Sequence, residues 1–212
     1  MFNLSYYQQT DLEKSVSQFY LRLGIIHPSD LSEETIASAL DIELFREPYP
    51  SMCYQEGDYT SILIDSRQSR ATQREHFYHE LGHILRGHVG KQHKMIKSFR
   101  RLQEEQAEHF TIYAAIPFYM VSKLLLPQDE RDTVKLFADE FGVTYELASR
   151  RLYQIKNRIY HGWAREQFLD KIRSQYTKAE PHPYSSETLR LLGQLQLQVQ
   201  SSQKHKSSAF TN

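Results

Sequence analysis

The chain has 212 residues, 40% of them hydrophobic and 25% charged, which suits a moderate domain with a helical appendage and argues against wholesale disorder. Lys+Arg and Asp+Glu both number 26, so net charge gives no general attraction to nucleic acid or to a membrane surface. Cys53 is the single cysteine; an internal disulfide is therefore excluded, and a structural residue in a reducing compartment is expected.

The first segment, Met1 to Gln9, has neither the basic start nor the apolar run of a signal peptide. No stretch approaches the roughly 18 consecutive apolar residues of a membrane span, so a cytoplasmic location without a membrane partner is expected. Leu12, Val16, Phe19, Tyr20 and Leu23 recur at helical spacing after Thr10, a candidate N-cap, and the run stops at Gly24. A shorter helix follows Pro28-Ser29, with Glu33 and Glu34 where the helix dipole favours anions and Ile36 and Leu40 as its buried stripe.

Next come three short strands, expected to form a small antiparallel sheet. Ile42 to Phe45 is closed off by Pro48 and Pro50, and Ser51–Gln55 and Tyr59–Ile64 flank a Glu56-Gly57-Asp58 hairpin loop. An open edge of such a sheet can hold an extended peptide by strand addition.

From about Thr72 to His88 the chain reads as a helix with Phe77, Leu81, Ile84 and Leu85 on its apolar stripe, ending near Gly87 and Gly90. Within it lies His79-Glu80-Leu81-Gly82-His83, an H-E-x-x-H pattern. Two imidazoles four residues apart share a helix face and can chelate one ion, with Zn2+ the expected cofactor. Glu80, rotated roughly 100° from His79, reaches a water at the metal rather than the metal, as a general base must. His76, His88, His93 and His109 lie nearby and are read as polar surface or supporting residues.

A further helix is traced by Phe99, Leu102, Gln106, Phe110 and Tyr113 and ends before Pro117. Its Glu104, Glu105 and Glu108 are candidate third ligands; Glu104 and Glu108 share a face and Glu105 lies about 100° away. Three protein ligands leave one position open, as catalytic zinc requires.

The H-E-x-x-H run, followed by Glu104-Glu105-Gln106-Ala107-Glu108-His109-Phe110 and Ile116-Pro117-Phe118-Tyr119-Met120, resembles the ImmA/IrrE family of zinc metallopeptidases over roughly residues 10 to 160. It is most similar to the ImmA-type proteins of Gram-positive mobile elements and phages. In that family the second stretch reads Glu-x-x-Ala-Asp/Asn-x-Phe. The resemblance implies that Glu104 is the third ligand, and it puts Glu108 in the Asp/Asn place, where the expected job is to orient a ligand histidine. It further implies an endopeptidase whose protein substrate is a helix-turn-helix repressor, cleaved to derepress a phage or an integrative element.

Downstream, residues 134–144 lead through Gly142 into a second periodic run with Leu147, Leu152, Ile155 and Ile159, the outline of a helix-turn-helix. Residues 144–175 carry seven Lys/Arg against three Asp/Glu, which raises the alternative of a DNA-binding regulator with a structural or vestigial zinc site. Glu146 in the first turn of the would-be recognition helix faces phosphates poorly, so DNA contact is not the preferred reading. Trp163, Leu169, Ile172 and Tyr176 suggest one more helix, a weak amphipathic helix is expected over Leu189 to Val199, and the last dozen residues are expected to be disordered. The fold class expected is α+β: a mostly helical metallopeptidase domain (1–122) with a small antiparallel sheet, a helix-turn-helix-like region (123–176) and a polar tail (177–212).

Overall fold

The computed structural model describes residues 3–88, 96–175 and 184–208, with side chains through 199 in the last of these stretches. Expectations concerning Gly90, His93, Tyr176 and the final residues lie outside what is described. Among the described residues, eight α-helices and three strands follow in the order α1 (Asp11–Arg22), α2 (Glu33–Ala39), β1 (Glu43–Glu47), β2 (Met52–Glu56), β3 (Tyr59–Asp65), α3 (Arg70–Leu85), α4 (Lys97–Ala115), α5 (Phe118–Val121), α6 (Glu130–Phe141), α7 (Tyr145–Gln175) and α8 (Ser186–Ser208). The chain is therefore mostly helical around one small sheet. It divides into two compact units, Met1–Glu166 and Gln167–Asn212. Among the described residues, no helix is long and apolar enough to cross a membrane.

Local chemistry accounts for the helix starts. Thr10 caps α1 in a reciprocal box with Glu13, and Ser32 caps α2 by accepting from the Thr35 N–H. Ser69 caps α3 through the Thr72 N–H, so that helix begins two residues before the position expected and stops at Leu85, with Gly87 at φ 66° just beyond.

The sheet departs from the expectation in one respect: it is mixed. β2 and β3 form the antiparallel hairpin, but β1 pairs with β3 in parallel, giving the order β1-β3-β2. Pairing in parallel with β3 needs a crossover, and residues 48–58, with Pro48, Pro50 and the whole of β2, supply it. The central place falls to the strand with the most apolar buried face, where Thr60, Ile62 and Ile64 point inward, while the more polar β1 and β2 take the edges.

α3 packs its Phe77, Tyr78 and Leu81 into the core alongside Ile62 and Ile64. On α4 the buried face runs through Gln103, Ala107, Phe110, Thr111 and Ala114. Phe99 and Leu102, expected on the core stripe, are instead exposed, because the face that meets α3 is set by the small Ala107 rather than by the bulkier positions. Similarly, Leu85 on α3 is exposed and Ile84 only half-buried.

α6 ends at Gly142 in the left-handed conformation (φ 62°), and the Thr144 hydroxyl accepts from the Leu147 N–H to open α7. α7 then runs unbroken to Gln175 where two helices were expected, since no proline interrupts it and Gly162 sits inside the helix.

Candidate metal centre

α3 is the structural centre of the site. His79 Nε2 and His83 Nε2 lie 3.1 Å apart, and Glu104 Oε2 on α4 lies 3.2 Å from the first and 3.5 Å from the second. Ligand atoms about 2.0–2.1 Å from a tetrahedral zinc are separated by about 3.3–3.4 Å, so the three atoms have the spacing of one face of such a tetrahedron. Without a cation or a shared proton between them, two imidazole lone pairs and a carboxylate would repel at this range. The donor set thus fits a metal, and it is the grouping of this kind found among the described residues.

The electrostatics favour ligation. His83 is buried, and burial, followed by its neighbour His79, lowers its pKa against the opposing pull of Glu104 and Glu80. Neutral imidazole, the form that can ligate, is thereby favoured. His83 Nδ1 is buried with no hydrogen-bond partner among the described residues.

Close helix packing is what lets Glu104 reach α3. A Cβ added at Gly82 would lie 3.1 Å from the Phe110 ring, 3.2 Å from Ala107 Cα and 3.3 Å from Ala107 O. The absent side chain at Gly82, paired with Ala107, brings the α4 backbone close. One of the variable positions inside H-E-x-x-H therefore sets the distance to the carboxylate.

The structure brings together His79, His83 and Glu104, and it separates the other two candidate carboxylates from them. Glu105 pairs with Arg101 at 2.9 Å along its own helix. Glu108 pairs with Arg150 on α7, also at 2.9 Å, so the expected role of orienting a ligand histidine is not what its side chain does. The longer Glu arm, in a place where the family pattern has Asp or Asn, reaches outward to α7 instead of back to α3.

Two residues at the site were not legible as such. The Cys53 thiol, on β2 opposite Ile62, lies against the Glu80 carboxylate, and its pKa is pushed up to about 12 by burial and then by that carboxylate. Ser51 Oγ lies 2.9 Å from His76 Nδ1 and accepts from the Asp65 N–H at 3.0 Å. Only the alternation that puts Ser51 and Cys53 on one face of a strand hinted at this. The sequence carried no sign of which helix that face meets. Of the remaining histidines, His88 is buried with its ring 5.6 Å from that of His83, and His109 is exposed.

Residues 37–153 match the protein family described as the IrrE N-terminal-like domain, a peptidase family. That span takes in the sheet, α3 and α4, and with them every residue of the centre. Two proteins of Bacillus subtilis (strain 168) are similar. The phage-like element PBSX protein XkdA is 37% identical over 147 residues, covering 69% of this chain and 74% of XkdA. YqaB is 32% identical over 146 residues, covering 69% of this chain and 84% of YqaB. Among solved structures, a Mycobacterium tuberculosis transcriptional regulator superposes with a TM-score of 0.49 at 14% identity, covering 71% of this chain and 58% of that one.

Proposed function

The chain belongs to the ImmA/IrrE family, matching its IrrE N-terminal-like peptidase domain, and from that premise we propose that it is a zinc-dependent endopeptidase. The observation that carries the proposal is the convergence of His79, His83 and Glu104 on one point, with Glu80 on the same helix. His79, His83 and Glu104 would hold the metal. Bound there, zinc supplies a Lewis acid that polarises a carbonyl and acidifies water.

Glu80 acts as the general base: its carboxylate takes a proton from the attacking water and returns it to the leaving amine. One C–O bond forms, the C–N bond breaks, and the proton count closes on Glu80. The Cys53 thiol lies against that carboxylate from β2. The free edge of β2 beside α3 offers a place for an extended substrate segment.

For the substrate we propose a helix-turn-helix repressor of a phage or integrative element, acted on in the cytoplasm. The ImmA-type resemblance supports this, as does the naming of XkdA as a protein of a phage-like element. The left-handed turn at Gly142 between α6 and the Thr144-capped α7 favours a second reading, a DNA-binding regulator. Against it, the Thr144 N–H donates to the Glu75 carboxylate at 2.7 Å. A second acid, Glu146, occupies the first turn of α7. Anions at the head of a recognition helix disfavour phosphate contact.

Zinc-loaded wild type and Glu80→Gln, incubated with the repressor encoded beside the gene, separate the readings. We expect wild type to cut the repressor at a defined bond, seen by mass spectrometry, and Glu80→Gln to be slower by at least about 100-fold. If both proteins leave the repressor intact and both retard DNA in a gel-shift assay, the peptidase reading is wrong and the regulator reading stands.

A further inference from the structure

We propose that His76 donates the hydrogen bond that holds the carbonyl oxygen of the peptide bond being cut, with its ring set for this task by Ser51. The inference rests on the peptidase reading above and assigns that site its oxyanion donor.

Position is the first argument. At about 100° per residue, His76 lies roughly 60° from His79, 40° from Glu80 and 20° from His83 around the α3 axis. It is therefore on the face that carries the metal donors, one turn earlier, with His79 and Glu80 as its i+3 and i+4 neighbours. Its side chain is half-buried, open on one side.

The second argument is the direction of its proton. Ser51 Oγ already accepts from the Asp65 N–H at 3.0 Å, and it lies 2.9 Å from His76 Nδ1. With one lone pair taken by the Asp65 N–H, the hydroxyl still has its proton to give; given to Nδ1, it leaves the ring proton on Nε2, the tautomer the inference requires. Among the described residues, Nε2 has no hydrogen-bond partner. The result is an N–H donor steadied by Ser51, with nothing among the described residues to receive it.

The third argument is register. Ser51 meets His76, and Cys53 meets Glu80. Two residues along a strand advance about 6.6 Å and four along a helix about 6 Å, so these are successive rungs between β2 and α3. β2 is an edge strand of the sheet. A substrate segment added at its open side passes both rungs, so the carbonyl attacked with the help of Glu80 lies within the reach of His76. Charge gathers on that oxygen as the C–O bond forms, and a donor already in place stabilises it without reorganisation. His76 keeps its proton throughout; the proton that moves passes from water through Glu80 to the amine.

The test uses zinc-loaded full-length wild type, His76→Ala, His76→Gln and Ser51→Ala on the repressor encoded beside the gene. Each protein is also read by nitrogen-15 NMR of the imidazole tautomers and by zinc content. We expect His76→Ala to keep its zinc, to lose about 100-fold in kcat and to shift KM by less than about threefold. His76→Gln, whose amide can still donate, recovers part of the loss. Ser51→Ala loses less than His76→Ala but abolishes the Nε2–H tautomer preference at His76. A His76→Ala kcat within threefold of wild type, a loss confined to KM, or a wild-type spectrum with the proton on Nδ1 overturns the inference while leaving the peptidase reading intact. Wild type that does not cut the repressor overturns both. Should His76→Ala fail to fold, His76→Gln and the tautomer spectrum decide.

Discussion

At the scale of residues, the centre separates side chains that look interchangeable in the sequence. Glu104, Glu105 and Glu108 lie within one and a half turns of α4, yet only Glu104 meets the histidines, while the other two are held by Arg101 and Arg150. The spacing of His79, Glu80 and His83 was legible because a helix fixes which residues share a face. The choice of carboxylate was not, because it depends on how α4 is rotated against α3. Cys53 was legible only as a strand residue; its contact with Glu80 comes from the register of β2 on α3. Its thiol is pushed up to about 12 by burial and then by Glu80, so little thiolate exists near neutrality. In metal-free protein at pH 8, iodoacetamide should therefore label Cys53 at least about tenfold more slowly than it labels glutathione. Equal rates, followed by mass spectrometry, would contradict this environment.

At the scale of elements, the α3–α4 contact controls the metal. Gly82→Ala raises intrinsic helix propensity by about 1 kcal/mol, but its Cβ would press on Phe110 and the Ala107 backbone at 3.1–3.3 Å. The two effects oppose one another in stability, and the Cβ contact alone acts on the Glu104 distance. We expect thermal stability to change by less than about 1 kcal/mol while zinc affinity, measured by competition with a chelator, falls by about tenfold. Unchanged affinity would mean that α4 is not positioned by this glycine. Gly162 is a sharper case: a Cβ there would lie 2.0 Å from the Tyr6 carbonyl oxygen. Gly162→Ala should cost about 1–3 kcal/mol in chemical denaturation, because backbone has to move. The hairpin could be read from its turn residues, whereas the parallel pairing of β1 could not: strand order follows from which strand's apolar face is buried most, a property of the assembled core.

At the scale of the molecule, the N-terminal segment and α7 are joined by a buried polar network. Arg151 is fully buried and bonds Glu13 at 2.9 Å, the Tyr7 hydroxyl at 3.2 Å and the Ile116 carbonyl at 3.0 Å, and Arg158 reaches the other Glu13 oxygen at 2.7 Å. Burial raises the Glu13 pKa, but Arg151, the Tyr7 hydroxyl and the Thr10 N–H outweigh it, and the net shift is downward. In acid the unfolded chain therefore takes up a proton at Glu13 before the folded one does. The stabilisation is complete above the ordinary value of 4.5 and is lost as pH falls through the lower folded value. Glu13→Gln should be less stable than wild type by about 3 kcal/mol at pH 7, since it leaves Arg151 buried without its carboxylate, and the gap should narrow in urea titrations below pH 4. A gap that does not depend on pH would contradict the ion pair. The ties between Glu13 and α7 could not be read from sequence, because they join residues 138 and 145 positions apart. The α6–α7 outline was legible, but its attachment to the site helix was not: Arg74 and Glu75 of α3 bind the Phe141 carbonyl and the Thr144 N–H at 2.7 Å each.

The central claim is that three side chains from two helices hold one zinc, and zinc per chain, measured by elemental mass spectrometry after dialysis, tests it most directly. One equivalent is predicted in wild type, in Glu80→Gln and in Glu108→Ala, and near none in His83→Ala and Glu104→Ala. Zinc retained by Glu104→Ala and lost from Glu108→Ala would contradict the account.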